Sequence, residues 1–327
     1  MPYVSLVIPV YNAELTLSSL YESIVAVFEE TDIEFEVIFV EDRGGDRSWE
    51  IIRELSEKDA RVHGLRLSRN FGQHNALLCG IRAARGDVIV TMDDDLQNPP
   101  SEVPRLVAKL EEGFDVVYGA PEKQQHGLLR DLASRLTKLA LQSAMGIETA
   151  ANVSAFRAFR TGIRSAFEDF RGPFVSIDVL LTWGTSSFTL LKVKHLSRAA
   201  GNSNYTLFKL VTHAINLLTG FSTLPLQLAS YVGFASTLFG LCILAYVLIG
   251  WLIRGSAVQG FTFLASIIAI FAGAQLFVIG IFGEYLARMH FRSMERPAYV
   301  IGETTGRKDS PVSPSGSDGR AAIPESG

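Results

Sequence analysis

Three consecutive aspartates stand in Thr91-Met92-Asp93-Asp94-Asp95-Leu96-Gln97-Asn98-Pro99-Pro100, directly after the apolar run Val88 to Met92. The run predicts a buried strand, and adjacent carboxylates end it because they repel one another. A divalent cation would hold them there, since hard cations prefer oxygen ligands. Alternation along a strand places Asp93 and Asp95 on one side and Asp94 on the other. The alternative is a solvated acidic turn closed by the two prolines.

Short apolar runs alternate with amphipathic segments through residues 1–120. The runs predict strands at Val4–Ile8, Phe35–Val40, Val62–Leu67, Val88–Met92 and Val116–Tyr118. Helical spacing predicts helices at Leu15–Phe28, Trp49–Leu55, Asn75–Ala84 and Val103–Leu110. This order predicts an α/β fold in which helices cover both faces of a mainly parallel sheet.

Polar clusters follow several of these strands, and the fold class brings them to one crevice at the carboxyl ends of the strands. They are Tyr11 to Glu14, Glu41 to Asp46, and Asp93 to Asp95. No GxxxxGK[ST] phosphate loop occurs, and no GxGxxG follows the first strand, so a dinucleotide oxidoreductase is disfavoured.

The middle of the chain is mixed. A helix is predicted at Gln124–Gly146, strands at Asn152–Arg160 and Phe188–Val193, and a short helix or strand at Ile177–Trp183. A lone acid, Asp178, lies in the last of these segments. Its commoner role would be a cap or a salt-bridge partner, and a catalytic role is the alternative.

The composition excludes several classes of protein. The chain has 327 residues and a net charge of −4, without the dense basic face of a nucleic-acid-binding protein. Its two cysteines, Cys79 and Cys242, cannot build a disulfide framework or a zinc site. The amino terminus has no positive segment before its short apolar run, so it predicts a strand and not a signal peptide.

Two long segments, Leu210 to Ile253 and Gly255 to Gly283, contain no Asp, Glu, Lys or Arg. Each can supply the ~20 apolar residues that cross a bilayer, and we predict spans at about 226–252 and 261–285. Five basic residues follow the second span, whereas the loop between the spans contains Arg254 alone. The positive-inside rule therefore places both termini in the cytosol.

The predicted organisation has five parts. Residues 1–204 are predicted to form a cytosolic α/β domain, and residues 225–287 are predicted to form a transmembrane hairpin. Between them, residues 205–224 have one apolar and one polar face, which predicts a helix in the headgroup plane. The alternative is a helix packed on the soluble core. Residues 288–303 are predicted as a cytosolic juxtamembrane segment, and residues 304–327, rich in Ser, Gly and Pro, as a disordered tail.

Several blocks of the sequence resemble the inverting family-two glycosyltransferases, and more narrowly the polyprenyl-phosphate sugar transferases that include dolichol-phosphate mannose synthase. The similar blocks are Ile8–Asn12, Asp42, Ser68–Gln73, Met92–Pro100, Arg198–Tyr205, Gly280–Arg288 and Arg296–Tyr299. Together they cover about residues 3–302.

The resemblance implies a glycosyltransferase A-type domain that needs Mg²⁺ or Mn²⁺. It implies inverting transfer of a single sugar from a UDP- or GDP-sugar to a polyprenyl phosphate, for cell-envelope glycan or glycosylation pathways. The enzyme would be a multi-pass protein of the plasma membrane, and relatives suggest a homo-oligomer.

The resemblance also assigns the site. Asp93 and Asp95 would bind the metal, Asp95 and Asp178 would be catalytic, Asp42 would meet the base or ribose, and Arg198 would contact phosphate. The full set of expected substrate-binding residues is Pro9, Tyr11, Asn12, Glu14, Asp42, Asn70, Gln73, Asp93, Asp94, Gln97, Arg157, Arg198 and Ser203.

Two blocks depart from the family pattern. Arg43 and Gly44 stand where the family usually has Gly-Ser, and Asn152 replaces the acid of an Asp-x-Gly-x-Phe-Arg block. A phosphate acceptor is already anionic at neutral pH (second pKa ~6), so it needs little help from a general base. Alternatively, Asp178 fills that role.

Two other functions are weighed against transfer to a polyprenyl phosphate. Asn152 motivates a catalytically silent membrane protein that binds nucleotide sugars. A synthase with a different lipid or glycan acceptor is the other alternative. Its processive form is disfavoured because the chain lacks a Gln-x-x-Arg-Trp block and has one hairpin of spans.

Overall fold

The computed structural model describes residues 2–121, 153–172, 174–196, 224–254, 261–294 and 296–306. In chain order the elements are β1 (Val4–Val10), α1 (Leu17–Glu29), β2 (Phe35–Glu41), α2 (Ser48–Lys58), β3 (Val62–Leu67), α3 (Gln73–Ala83), β4 (Val88–Thr91), α4 (Val103–Glu111), β5 (Val116–Pro121), β6 (Arg157–Arg160), α5 (Ile177–Gly184), β7 (Phe188–Val193), α6 (Leu224–Arg254), α7 (Phe261–Ser293) and β8 (Ile301–Thr305). Short 3-10 helices cover Pro100–Glu102 and Thr161–Phe167.

The strands form one mixed sheet in the order β7-β5-β6-β4-β1-β2-β3-β8. The pairings β1–β2, β1–β4, β2–β3 and β5–β7 are parallel. The pairings β3–β8, β4–β6 and β5–β6 are antiparallel. The chain runs outward from β1 through β2 to β3 and then returns to β4 on the other side of β1. This reversal opens a crevice between β1 and β4 at their carboxyl ends.

Helices cover both faces of the sheet, as the sequence predicts. On α1, Leu17, Leu20 and Ile24 lie on the buried face, which packs against β1 in one core. On the opposite face, α3 and α5 pack in a second core around Val7 and Ile38. Because both faces are covered, β1 and β2 are buried along their whole length, which explains their nearly continuous apolar sequences.

Two helices after the first seven strands of the sheet, α6 and α7, are long and apolar enough to cross a membrane. Their most apolar windows are Pro225–Ile243, with mean hydropathy 1.5, and Ile270–Phe291, with mean hydropathy 1.6. Within the described parts of the chain, almost none of either window is buried against protein, whereas the core helix of a soluble domain is mostly buried. They contact each other, and Gly240 of α6 lies against Phe271 of α7.

The prediction that residues 304–327 form a disordered tail is wrong for residues 304 and 305. Thr304 and Thr305 belong to β8, where they lie opposite Leu65 and Gly64 of β3. The edge of β3 presents unpaired backbone groups, and an incoming strand satisfies them. Composition misled the prediction because these residues are ordered by a partner that is remote in sequence.

Other boundaries differ slightly from the predictions. The segment from Ile177 is a helix, α7 continues past its predicted end to Ser293, and β4 ends at Thr91. Several predicted features lie outside the described residues: the helix at 124–146, Asn152, the loop with Arg198 and Ser203, the amphipathic helix up to residue 223, and the tail after residue 306.

We expect Gly80→Ala to destabilise the domain. A Cβ at Gly80 would clash with Val7 Cγ1 and lie 3.0 Å from Val40 Cγ2, because α3 packs closely on β1 and β2. Overpacking of this kind costs about 1–3 kcal/mol. Urea unfolding of the detergent-solubilised protein, followed by circular dichroism, measures the change.

The matched control is Gly162→Ala, since no atom lies within 4 Å of a Cβ at Gly162. Equal loss of unfolding free energy in the two variants would contradict the close packing of α3 on the sheet.

Candidate active site

The loops that follow β1, β2 and β4 meet at the carboxyl edge of the sheet. The Tyr11 N–H donates to Asp94 Oδ2 (3.2 Å), which joins the β1 loop to the acidic segment. The Gly45 N–H donates to Asn12 Oδ1 (2.8 Å), which joins the β1 loop to the loop after β2. Residues more than thirty positions apart therefore line one crevice, as the fold class predicts.

Glu14 and Gly44 fix the distance between the first two of these loops. The Glu14 N–H donates to Asp46 Oδ2 (2.9 Å), and the Arg47 N–H donates to Glu14 Oε2 (3.1 Å). Gly44 approaches Asn12 so closely that a Cβ there would lie 2.7 Å from Asn12 Oδ1. The turn after β2 therefore requires a glycine at this position.

Asp42 joins the end of β2 to the loop that precedes α3. Its carboxylate is almost fully buried and accepts the N–H groups of Phe71 (2.7 Å) and Gly72 (2.8 Å). Burial raises the pKa of Asp42, although these two hydrogen bonds act in the opposite direction. In this structure the carboxylate shapes the loop, and Asn70 in the same loop is exposed.

The three aspartates after β4 have different partners. Gln73 Nε2, at the start of α3, donates to Asp93 Oδ1 (2.6 Å). Asp94 accepts from Tyr11, and the Gln97 N–H donates to Asp95 Oδ1 (3.1 Å). Burial raises the pKa of Asp94 to about 7, and the charges of its two neighbours also raise it. The segment thus holds concentrated negative charge in a partly buried position.

This chemistry fits a divalent cation that is shared with a substrate. Among the described residues, no three His, Cys, Asp or Glu side chains converge on a metal position. Mg²⁺ does not need such a cage, since it commonly binds one or two carboxylates together with substrate phosphates and water. Asp93 and Asp95 are the carboxylates that could hold it, and a cation there would relieve the repulsion within the aspartate run.

Unusual backbone conformations mark the same crevice. Within the described parts of the chain, the non-glycine residues with positive φ are Asn12 (54°), Arg43 (54°) and Leu96 (61°). Each lies in one of the three loops at the carboxyl edge. Such conformations are costly outside glycine, and they cluster at functional sites where the surroundings hold them in place.

A buried polar network supports the end of β4. Arg157 Nη1 of β6 contacts Asp178 Oδ1 of α5, and its Nε donates to Thr91 Oγ1 (3.1 Å). Tyr118 Oη donates to the same oxygen of Asp178 (3.0 Å), and Thr91 Oγ1 donates to Ala155 O (2.6 Å). Burial raises the pKa of Tyr118 well above its usual value, so the phenol stays protonated.

This network bears on the predicted roles of Asp178 and Arg157. The two side chains form the buried salt bridge that was the commoner expectation for Asp178, and a catalytic role for it stays a prediction. Thr91 and Tyr118 were missed because each lies within an apolar strand sequence that gives no sign of a polar partner.

The remaining predicted residues are placed as follows. Pro9 lies in buried β1 opposite Val40, and Tyr11 is half-exposed beside the crevice. The carbonyl oxygen of Gln97 accepts the Leu196 N–H (2.8 Å), which brings the segment after β7 to the acidic loop. Arg198 and Ser203 follow that segment but lie outside the described residues.

The sequence is similar to those of known proteins. The family model "Glycosyl transferase family 2" matches residues 5–170. The chain is 36% identical over 313 residues to the undecaprenyl-phosphate 4-deoxy-4-formamido-L-arabinose transferase of Pseudomonas syringae pv. syringae, covering 95% of this chain and 93% of the relative. It is 35% identical over 308 residues to the transferase of the same name from Proteus mirabilis, covering 93% and 94%.

Among solved structures, the chain is similar to glucosyl-3-phosphoglycerate synthase from Mycobacterium tuberculosis, crystallised with Mn²⁺, UDP and glucosyl-3-phosphoglycerate. The identity is 21%, the TM-score is 0.49, and the match covers 67% of this chain and 78% of that one.

We expect Asp178→Asn to destabilise the domain by about 3–5 kcal/mol, because it leaves the buried Arg157 guanidinium without a counter-charge. Replacing both partners, as in Arg157→Met with Asp178→Leu, should recover much of this loss, since no buried charge remains. Urea unfolding of the two variants and of the wild type measures the difference. An Asp178→Asn variant as stable as the wild type would contradict a stabilising role for the buried salt bridge between Arg157 and Asp178.

Proposed function

This chain belongs to glycosyl transferase family 2, and we propose that it transfers a single sugar, with inversion, from a nucleotide-sugar donor to a polyprenyl phosphate. The observation that carries the proposal is the meeting of the Asp42 loop and the three aspartates at one sheet edge, in a chain that continues into two apolar helices. The names of the relatives, which specify undecaprenyl phosphate, support the class of acceptor.

The donor would bind across the loops after β1, β2 and β4. Asp42 would meet the base or ribose at the end of β2, within the loop that it holds to residues 71 and 72. Gln73 would reach the donor beside Asp93, its hydrogen-bond partner. The other residues proposed to bind substrate are Pro9, Tyr11, Asn12, Glu14, Asn70, Asp94, Gln97, Arg157, Arg198 and Ser203.

Asp93 and Asp95 would hold Mg²⁺ or Mn²⁺ at the donor diphosphate. When bound, such a cation neutralises the charge of the departing nucleoside diphosphate. Gln73 and the Gln97 N–H orient the two carboxylates, each through one oxygen, before the donor arrives. This preorganisation supports the assignment, because the ligands need little rearrangement on binding.

The acceptor would be the phosphate of a lipid. One of its oxygens forms a bond to the anomeric carbon while the bond from that carbon to the diphosphate oxygen breaks, and the configuration inverts. Because a phosphate oxygen is already anionic at neutral pH, Asn152 in place of the family acid is compatible with turnover. Asp178 is the alternative group for assisting the acceptor.

The apolar helices would keep the catalytic domain at the membrane that contains the acceptor. Their lengths suit a hairpin, and the basic residues after α7 favour a cytosolic position for both termini. The guanidinium of Arg288 in α7 lies 4.9 Å from the ring centre of Phe174, so this helix touches the catalytic domain. The proposed location is therefore the plasma membrane, with two spans and a cytosolic active site.

Membranes that contain the protein should convert a radiolabelled nucleotide sugar into a chloroform-soluble sugar phosphate of the added polyprenyl phosphate. UDP-, GDP- and dTDP-sugars are to be screened against short polyprenyl phosphates, with and without EDTA. We expect one lipid product with a single sugar, and its loss in EDTA with recovery on added Mn²⁺. A polymeric product, or none from any donor, would refute the proposal.

Asp95→Asn should lower the rate of transfer by about 10²–10³-fold, the range typical for loss of one group that stabilises developing charge. It should also weaken Mn²⁺ binding in the presence of the nucleoside diphosphate. Glu112→Gln is the matched control, because Glu112 is exposed at the end of α4 and pairs with Lys109 on the surface. Undiminished product from Asp95→Asn would show that the metal assignment is wrong.

A further inference from the structure

The chain that leaves the second apolar helix returns to the catalytic domain. After α7 ends at Ser293, Ala298 is buried, and the Ser68 N–H donates to Val300 O (2.8 Å). Strand β8 then pairs antiparallel with β3. Ser68 begins the loop whose N–H groups bind Asp42, so the returning segment already borders one of the proposed donor loops.

Glu303, in the middle of β8, makes polar contacts with other elements of the domain. Its Oε1 accepts from Arg66 Nη1 of β3 (3.1 Å), and its Oε2 accepts from Trp49 Nε1 of α2 (3.1 Å). The Arg43 guanidinium lies in the loop Asp42–Gly45, which we call the donor loop, and it is 3.9 Å from Glu303 Oε1. One carboxylate thus connects β8 to β3, to α2 and to the loop after β2.

Arg66 connects Glu303 to a buried carboxylate, Glu41. Its Nε donates to Glu41 Oε2 (2.9 Å), while Nη1 is used by Glu303. Glu41 is almost fully buried at the end of β2, and its other oxygen accepts the N–H of Gly44. The contacts therefore run from β8 through Arg66 and Glu41 to the backbone of the donor loop, next to Asp42.

The donor loop needs such support. Arg43 has a positive φ, which a non-glycine residue adopts only when its surroundings hold it. Glu41 holds Gly44 in place, and its buried carboxylate requires a well-placed cation. An arginine has a rigid planar fork, so a second carboxylate at Glu303 fixes the direction from which Arg66 reaches Glu41.

We propose that Glu303 is a positioning residue for the donor site, through which the segment after the membrane hairpin fixes the loop Asp42–Gly45. The inference rests on the proposed function for the identity of this loop as the donor loop. It adds that donor binding depends on a residue located after both apolar helices, which the family blocks of the sequence do not include.

Strand β8 does not depend on Glu303 for its own place. The backbone ladder joins it to β3, and the hydroxyls of Thr305 and Ser56 lie 2.7 Å apart. Thr305 also packs against Gly64, where a Cβ would lie 2.6 Å from its methyl carbon. Loss of the Glu303 charge should therefore leave the strand docked and change the donor loop.

The experiment compares Glu303→Gln with the wild type in the full-length protein. Binding of UDP, GDP and dTDP, each with Mn²⁺, is measured by calorimetry without any acceptor, and the KM values for donor and polyprenyl phosphate are measured separately. We expect Kd for the preferred nucleotide and KM for the donor to rise about three- to fivefold, as for loss of a partly exposed ion pair. KM for the acceptor should not change, and the unfolding temperature should fall by no more than ~4 °C.

Thr304→Ala is the matched control, because Thr304 lies in the same strand and is exposed. It should leave nucleotide binding unchanged. An equal effect in the control, or unchanged binding in Glu303→Gln, would overturn the positioning role.

A double-mutant cycle with Arg66→Lys tests whether Glu303 acts on the donor loop through Arg66. Lysine keeps a charge beside Glu41 but lacks the fork that reaches both carboxylates. If Glu303 acts through Arg66, Glu303→Gln should have little further effect on nucleotide Kd in the Arg66→Lys background. Additive effects of the two substitutions on nucleotide Kd would show that Glu303 does not act through Arg66.

The experiment distinguishes failure of the proposed function from failure of this inference. If the wild type binds a nucleoside diphosphate but transfers no sugar to a polyprenyl phosphate, the acceptor assignment is wrong, and the effect of Glu303→Gln on binding still decides the positioning role. A wild type that binds none of the three nucleotides would overturn both.

Discussion

The crowding of three carboxylates at the end of β4 is the constraint on which the site depends. Asp93, Asp94 and Asp95 repel one another in a partly buried position, and this repulsion contributes to the raised pKa of Asp94. A fold keeps such a cluster only where something compensates it, and here each aspartate accepts a hydrogen bond from a different group. A divalent cation shared with a diphosphate would complete that compensation, which is why the cluster indicates group transfer.

The sheet places the three aspartates beside the loops that follow β1 and β2. The parallel pairing of β1 with β2 and β4 brings their carboxyl ends to one edge, so that loops remote in sequence touch there. Behind that edge, the buried network of Thr91, Arg157 and Asp178 ties the end of β4 to β6 and α5. A rigid strand end supports geometric precision at the site, because ligands on fixed backbone move little when substrate binds.

Local pattern predicted much of this arrangement from the sequence. Apolar runs located all the parallel strands of the central sheet, and the polar clusters after them located the crevice. What local pattern could not predict are the long-range partners: β8, whose Thr304 and Thr305 look like a disordered tail by composition, and the contacts of Glu303 with Arg66 and Trp49. Tyr118 and Thr91 were missed for the same reason, since a buried polar partner leaves no periodic signal in the neighbouring sequence. The segment at Ile177 was ambiguous because short apolar runs suit either a helix or a strand.

The most direct test of the central claim is anomalous diffraction from crystals of the protein grown with Mn²⁺ and the nucleoside diphosphate that it binds. We expect one strong manganese peak at the carboxyl edge, about 2.0–2.3 Å from an oxygen of Asp95 and from oxygens of the diphosphate, at distances typical of small divalent cations. A manganese ion bound elsewhere in the crevice, or a diphosphate bound without contact to a metal at Asp95, would contradict the role assigned to the acidic segment.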